Sequence, residues 1–192
     1  MCIRDRLYTE YYLSLISKCQ KAFGTEDVDA ISSVLHTDIQ ALFKAERSTL
    51  FLHDASAHTL VSHTATDLPD KTICIPEHVG VAGYTFSEVA RIYVPEAYQD
   101  PHFFQRLDTI TGFHTRGIIS LPLTTPGGFV IGSVQLLNPQ GEPNPQALHI
   151  LSFLTGYTLG RTYRKNRGDR SPTPGTWLDR FIEYLCHGHL TG

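Results

Sequence analysis

A glycine-bracketed tetrapeptide, Gly80-Val81-Ala82-Gly83, is the first segment of the sequence whose residue types could bind a ligand. The pattern predicts the start of a short helix that continues to about Ala90. Backbone N–H groups and the positive end of the helix dipole at such a start can hold a phosphate. The segment contains no lysine, which suits a singly charged phosphate group. Alternatively, the glycines serve only a tight turn from strand to helix.

Aromatic residues are concentrated between Pro95 and Thr115, a segment that we expect to be irregular and partly helical. Stacking of a nucleobase on such side chains contributes about 1–3 kcal/mol per base. At least two of these rings could instead simply pack the core beneath a long loop. The aromatic residues are Tyr98, Phe103, Phe104 and Phe113.

Three polar side chains in the same segment, Asp108, Thr111 and Thr115, are spaced by three and four residues. This spacing would allow one helical face or turn to present all three to a ligand. Aspartate and threonine also cap loop and helix-end amides routinely. The sequence leaves both interpretations open.

The nucleophilic and metal-binding residue types form no recognisable catalytic pattern. The cysteines are scattered without a C-x-x-C pair, so neither a zinc cluster nor a disulfide framework is indicated. His187 and His189 have no third ligand nearby, and we expect them to be solvated. We therefore expect no catalytic residue, no metal and no cofactor. The cysteines are Cys2, Cys19, Cys74 and Cys186.

Length and composition limit the class of protein further. The chain has 192 residues, of which 41% are hydrophobic and 18% charged, as expected for a globular domain. With a net charge of −3 and no dense lysine or arginine block, it is a poor candidate for nucleic-acid binding. The longest apolar runs are much shorter than the roughly 20 residues of a membrane helix. We expect a cytoplasmic protein that contacts no membrane.

Hydrophobic periodicity predicts helices at both ends of a hairpin-rich middle, which favours an α+β fold with helices against an antiparallel sheet. Helices are predicted over 7–22, from about Thr25 to Leu42, over Gly80–Ala90 and over Pro145–Tyr163. Strands are predicted at Ser48–His53, Thr59–Ala65, Thr72–Ile75 (stopped by Pro76), Arg91–Val94, Gly117–Leu123 and Phe129–Asn138. Residues 164–175 read as a linker, and 177–186 as a short amphipathic helix.

The ordered set of motifs in the middle of the chain resembles the GAF domain family, specifically its cyclic-nucleotide-binding branch. The resemblance covers residues 27–163. It implies a six-stranded antiparallel GAF sheet flanked by helices, with 95–115 as a lid. The motifs are Ala45–Asp54, Ile75-Pro76 with Gly80–Gly83, Tyr93–Phe103 continuing to Arg116, Leu121-Pro122-Leu123, and Ile131–Asn138.

The resemblance also implies a function: a regulatory module without catalysis of its own that binds a purine cyclic nucleotide, cGMP or cAMP. Backbone amides of Val81 and Ala82 would hold the phosphate, and Phe104 would stack the base. Asp108, Thr111 and Thr115 would close from the lid, while Thr49 and Gln135 would read the base edge. The branch's N-K…F…D motif is only partly present, because Pro139 follows Asn138 where lysine is usual.

Two alternative functions remain at this point. One is a dimerisation module with a filled pocket, and the other is a cysteine-dependent GAF methionine sulfoxide reductase that would use Cys74. We also expect a homodimer formed through the terminal helices, although Gly156 and Gly160 weaken the second of them. We divide the chain into an N-terminal helix (1–24), a GAF-like domain (25–163) and a linker with a short helix (164–192). Because its first six residues resemble a prefix on unrelated assembled sequences, we expect a fragment.

Overall fold

Six strands form one sheet in the computed structural model of the chain. The structure describes residues 32–65, 72–125 and 128–141, together with 17, 143, 145, 148–149, 151–152, 155–156 and 159–160. The strands are β1 (Arg47–Asp54), β2 (Thr59–Ala65), β3 (Cys74–Pro76), β4 (Ile92–Val94), β5 (Ile118–Thr124) and β6 (Val130–Leu137). Their spatial order is β3-β2-β1-β6-β5-β4, and each neighbouring pair is antiparallel. The predicted α+β class with an antiparallel sheet is confirmed.

Both predicted hairpins, β1–β2 and β5–β6, are present. In the first turn the Asp54 carboxylate accepts hydrogen bonds from the N–H groups of Ser56 at 2.9 Å and Ala57 at 3.2 Å. The third strand, predicted at Thr72–Ile75, spans Cys74–Pro76; it ends at Pro76 as predicted, but Pro76 is itself its last residue and pairs with Thr59. An edge strand tolerates proline, since its outer side needs no ladder hydrogen bond.

The helical segments are short, and most lie between strands. The helix predicted before the sheet is described from Ser32 and contains a π-helical turn that the sequence pattern does not indicate. The helix predicted to end at Ala90 ends at Glu88, because Val89 adopts a left-handed conformation with φ of 53°. The segments are α1 (a π turn, Leu35–Ile39, followed by Gln40–Leu42), α2 (Gly80–Glu88), a 3-10 turn (Ala97–Gln99), α3 (Arg106–Thr111) and α4, whose described residues lie between 145 and 160.

Several sequence predictions lie outside the described residues: the helix over 7–22, its packing against the last helix, the linker over 164–175 and the helix over 177–186. Within the part of the chain that the structure describes, no helix has the length and apolar character needed to cross a membrane.

The two faces of the sheet have different partners. One face carries Leu50, Leu121 and Leu136, which pack with α1 and with leucines of α4 in the largest hydrophobic cluster. The other face carries two smaller clusters, around Phe51 and around Ile118, and faces α2 and the lid. Because side chains alternate along a strand, each central strand serves both layers.

Glycines in α4 allow this helix to approach the sheet closely. A Cβ atom on Gly156 would lie 2.4 Å from the Thr124 carbonyl oxygen, and one on Gly160 would lie 2.7 Å from the Thr125 Cγ2 atom. These glycines lower intrinsic helix propensity, but any larger residue would push α4 off the sheet. Their presence in the predicted helix therefore has a packing reason.

Candidate functional site

A cavity lies between the sheet, the first turn of α2 and the lid. The empty space between its lining atoms is about 650 Å³ when the open solvent at its mouth is included, and about 70 Å³ of it is open to the centres of water molecules. Most of its lining is apolar or aromatic. All the site residues predicted from the sequence border it: Thr49, Val81, Ala82, Phe104, Asp108, Thr111, Thr115 and Gln135.

The first turn of α2 contributes backbone rather than side chains to the cavity. Val81 and Ala82 are only 3% and 2% exposed, because their side chains pack into the core. The first N–H to bond within the turn is that of Gly83, which donates to the Val79 oxygen at 3.2 Å. The N–H groups of residues 80–82 therefore have no helical acceptor and are available at the cavity wall.

Both glycines of this turn also have a structural reason. Gly80 adopts a φ of +75°, and a Cβ atom on Gly83 would lie 2.6 Å from the His78 carbonyl carbon. The tight-turn interpretation of the tetrapeptide is therefore correct for the backbone. It does not compete with anion binding, because the same turn leaves the N–H groups of residues 80–82 without a helical acceptor beside the cavity.

The polar side chains of the lid are already hydrogen-bonded within the protein. Asp108 is 9% exposed and its carboxylate accepts three bonds: from the Thr115 N–H and hydroxyl, both at 2.7 Å, and from the Tyr98 hydroxyl at 3.0 Å. The Thr111 hydroxyl donates to the Leu107 oxygen at 2.8 Å. These residues border the cavity while bracing the lid, so the capping interpretation describes their geometry.

The polar pair on the sheet differs from the lid residues. Thr49 on β1 and Gln135 on β6 are directly opposite each other in the register of these two neighbouring strands. Neither side chain forms a hydrogen bond with another described residue, and both border the cavity. The amide of Gln135 supplies a donor and an acceptor, and the hydroxyl of Thr49 does the same. This pair can therefore recognise a polar edge of a bound molecule.

Aromatic residues surround the space between these two polar walls. Phe104 is half-buried and packs on the Phe51 cluster, whereas Phe103 packs with the Ile118 cluster. Tyr98 contacts the Phe103 ring edge-on, with centroids 5.0 Å apart. The expectation that at least two of these aromatics pack on the core therefore fits Phe103 and Phe104, whereas Tyr98 is 45% exposed.

Arg47 was missed as a cavity residue in the sequence analysis. Its guanidinium carbon lies 4.1 Å from the centroid of the Phe113 ring, and both residues border the cavity. Strand alternation could have found it, because Arg47 and Thr49 are two residues apart on β1 and share a face. The contact places one positive charge at the lid edge of the cavity.

Comparison with known proteins decides the family. A sequence profile of the GAF domain matches residues 27–156, which is more than half of the chain. The chain belongs to the GAF domain family. GAF domains are regulatory domains that sense small molecules.

Two curated relatives each contain a region similar to this chain. The chain is 27% identical over 147 residues to the dual 3',5'-cyclic-AMP and -GMP phosphodiesterase 11A of Takifugu rubripes, covering 71% of this chain and 16% of that protein. It is 27% identical over 126 residues to the cGMP-specific 3',5'-cyclic phosphodiesterase of Drosophila melanogaster, covering 58% of this chain and 11% of that protein. The chain thus spans less than a fifth of either relative.

Solved structures support the GAF fold. The nlh2 GAF domain of A. aeolicus aligns with a TM-score of 0.64 at 14% identity, covering 82% of this chain and 98% of that one. The free methionine-R-sulfoxide reductase of Neisseria meningitidis aligns with a TM-score of 0.66 at 17% identity, covering 82% and 91%. At these identities the likeness concerns the fold alone.

Asn138, the retained residue of the partial N-K…F…D motif, connects the lid to the sheet. Its amide oxygen accepts from the Arg116 N–H at 2.6 Å and from the Gly117 N–H at 3.2 Å. Its amide nitrogen donates to Glu46 at 2.8 Å and to the His114 oxygen at 3.0 Å. The hydrogen bond from Asn138, and to a smaller extent the one from Arg116, lowers the pKa of Glu46. Asn138 therefore fixes the end of the lid without bordering the cavity.

Two histidines contact Glu77, which lies just before α2 in the chain. The Glu77 carboxylate contacts His53 Nε2 at 2.6 Å and His58 Nδ1 at 3.1 Å, and these hydrogen bonds lower the pKa of Glu77. Among the residues described, no set of three histidine, cysteine, aspartate or glutamate side chains is arranged to hold a metal ion. Cys74 is an exposed free thiol on the edge strand β3, while His187 and His189 lie outside the described residues.

Proposed function

We propose that this GAF domain is a regulatory sensor for a purine cyclic nucleotide, with cGMP slightly preferred to cAMP. The observation that carries the proposal is the pairing of Thr49 with Gln135 at the cavity wall, where their polar groups form no hydrogen bond with any residue that the structure describes. A purine edge carries donors and acceptors that such a pair can satisfy. The similarity to GAF regions of cyclic-nucleotide phosphodiesterases supports this ligand class.

The opposite wall suits the phosphate. A cyclic phosphate carries one negative charge, which the N–H groups of Gly80, Val81 and Ala82 and the dipole of α2 can stabilise. Phe104 lies beside this turn, since a Cβ atom on Gly80 would be 3.4 Å from its Cβ atom. One nucleotide could therefore stack its base on Phe104 and place its phosphate at the start of α2.

The lid residues act differently in this proposal. Asp108 and Thr115 are hydrogen-bonded to each other, and the Thr111 hydroxyl donates to the Leu107 oxygen; these bonds hold the lid over the cavity, and the ligand contacts the lid from below. Binding would favour the closed lid, because the contacts on both walls require it. The output is then a change in the population of closed domains rather than a chemical reaction.

Isothermal titration with cGMP, cAMP and a cyclic dinucleotide tests the proposal. We expect one purine mononucleotide to bind, and Gln135→Ala to weaken it roughly five- to ten-fold, the value of one ordinary hydrogen bond. Gln140→Ala, at an exposed glutamine outside the cavity, is the matched control and should bind as wild type does. No binding of any of the three nucleotides by folded protein would refute the proposal.

The alternatives give distinct results in the same preparation. Turnover of methionine sulfoxide with a thiol reductant, lost in Cys74→Ser, would establish a reductase. A folded dimer that binds none of the probes would indicate an interaction module instead. We also propose a homodimer through the terminal helices and a cytoplasmic location. Light scattering of the full chain tests the dimer, and a monomer at high micromolar concentration would contradict it.

A further inference from the structure

Three fully buried hydroxyl-bearing residues lie in the layer where α2 packs on β5 and β6. Thr85, Ser120 and Ser133 are each 0% exposed. Ser120 is paired with Gln135, and Ser133 is paired with Phe51, so both serines point to the cavity face of the sheet. Thr85 lies three residues after Ala82 on the buried side of α2, which packs on this same face.

None of the three hydroxyls forms a hydrogen bond with a described residue. Other buried serines of the same sheet do have protein partners: the Ser62 hydroxyl accepts from the Ile73 N–H at 2.8 Å, and the Ser48 hydroxyl contacts His36 at 2.5 Å. A buried hydroxyl without a partner is unfavourable, and alanine or valine would fill the same space without that cost. The polar residues at this interface therefore indicate that a small polar molecule is bound between them.

We propose that Thr85, Ser120 and Ser133 form an internal water site between α2 and the β5–β6 pair. Each hydroxyl can donate one hydrogen bond and accept two, so the three together can satisfy the two to four bonds of a buried water. The hydroxyls are uncharged and do not border the cavity, which favours water over an ion or the proposed nucleotide. The inference does not depend on what the cavity binds.

Water at this site gives α2 an anchor that apolar packing would not provide. The N-terminal turn of α2 borders the cavity through Val81 and Ala82, whereas Thr85 lies one turn further along. Hydrogen bonds through water tolerate small displacements that interlocked apolar side chains resist. The apolar side chains of α2 therefore fix its position on the sheet, whereas the hydrogen bonds through water allow the helix small displacements.

Magnetic relaxation dispersion of water deuterons, which counts internal waters of long residence time, tests the proposal on the full chain. We expect the combined Thr85→Val, Ser120→Ala and Ser133→Ala variant to lose the signal of at least one water molecule. Ser62→Ala, a buried serine with a protein partner, is the control and should keep the wild-type signal. An unchanged signal in the folded triple variant would overturn the proposal.

Single variants keep the test decisive if the triple variant does not fold. Ser120→Ala and Ser133→Ala should each reduce the dispersion signal and lower the urea midpoint, because each removes a water ligand. A dry site predicts the reverse: an unchanged signal and a raised midpoint, since removing an unsatisfied hydroxyl from the interior is favourable. That result in either variant would overturn the proposal as well.

Discussion

Replacing Asp108 with alanine should destabilise the ligand-free domain, because this carboxylate holds the lid together. The substitution removes the acceptor for three donors: the Thr115 N–H, the Thr115 hydroxyl and the Tyr98 hydroxyl. Thr115 is 2% exposed, so its two donors cannot turn to water. Tyr98 is 45% exposed, and its hydroxyl can be hydrated instead.

The size of the effect follows from the two buried donors. An unsatisfied buried group costs about 1–3 kcal/mol, so Asp108→Ala should lower the free energy of unfolding by about 2–6 kcal/mol. Asp108→Asn keeps an oxygen and can donate to the Thr115 hydroxyl, so only charge assistance is lost, at about 1 kcal/mol. The double variant Asp108→Ala with Thr115→Val lacks the Thr115 hydroxyl, which is one of the two unsatisfied donors. Its loss of unfolding free energy should therefore be about 1–3 kcal/mol smaller than the sum of the losses in the two single variants.

Urea unfolding of the ligand-free protein measures these differences. With a slope of about 2 kcal/mol per molar urea, Asp108→Ala should shift the midpoint by about 1–3 M. If Asp108 served only to contact a ligand, the ligand-free variant would be as stable as wild type. An unchanged midpoint for Asp108→Ala would therefore refute the bracing role, whatever happened to ligand affinity.

Three further predictions test other features of the fold. Val89→Gly should raise the free energy of unfolding by about 1 kcal/mol, because a β-branched residue at φ of 53° is strained. The control Glu88→Gly, one position earlier inside the helix, should lower the free energy of unfolding. A lower free energy of unfolding in both variants would contradict the reasoning. Gly132→Ala would place a Cβ atom 2.0 Å from a carbonyl oxygen of β1 and should cost about 3 kcal/mol or more, whereas Gly117→Ala, with its closest contact at 3.1 Å, should cost less. The hydrogen-bonded carboxylate of Glu77 has a lowered pKa, so its contribution is present above the ordinary value of 4.5 and is lost as the pH falls through the folded value. Urea midpoints of Glu77→Gln should therefore depend less on pH below 4.5 than those of wild type, and parallel curves would count against the contact.

The strands and turns were the most predictable part of the fold. Alternation and turn residues located β1, β2, β5 and β6 to within about two residues, because both signals are local. The end of α2 was not predictable, since valine rarely adopts the conformation that Val89 shows. The π-helical turn in α1 has no counterpart in the spacing of its apolar residues.

The candidate site was predictable in membership but not in hydrogen bonding. The family resemblance gave Thr49 and Gln135 one shared role, and the two residues are paired in the strand register. The sequence could not separate these open side chains from Asp108, whose partners depend on how the lid folds back on itself. The contact of Arg47 with Phe113 was equally hidden, because it joins segments far apart in the chain and depends on the tertiary fold.

The sheet is a single layer of backbone with a sensor on one side and helices on the other. Thr49 borders the cavity, while Leu50, the next residue, belongs to the cluster that packs on the helices; Gln135 and Leu136 show the same division. Because neighbouring residues of one strand face opposite layers, a contact made at Thr49 or Gln135 is one residue away from a leucine that packs on the helices. Thermodynamic linkage makes this coupling reciprocal. If a partner bound to those helices changed the affinity of the cavity for its ligand, the ligand would change the affinity for the partner by the same factor.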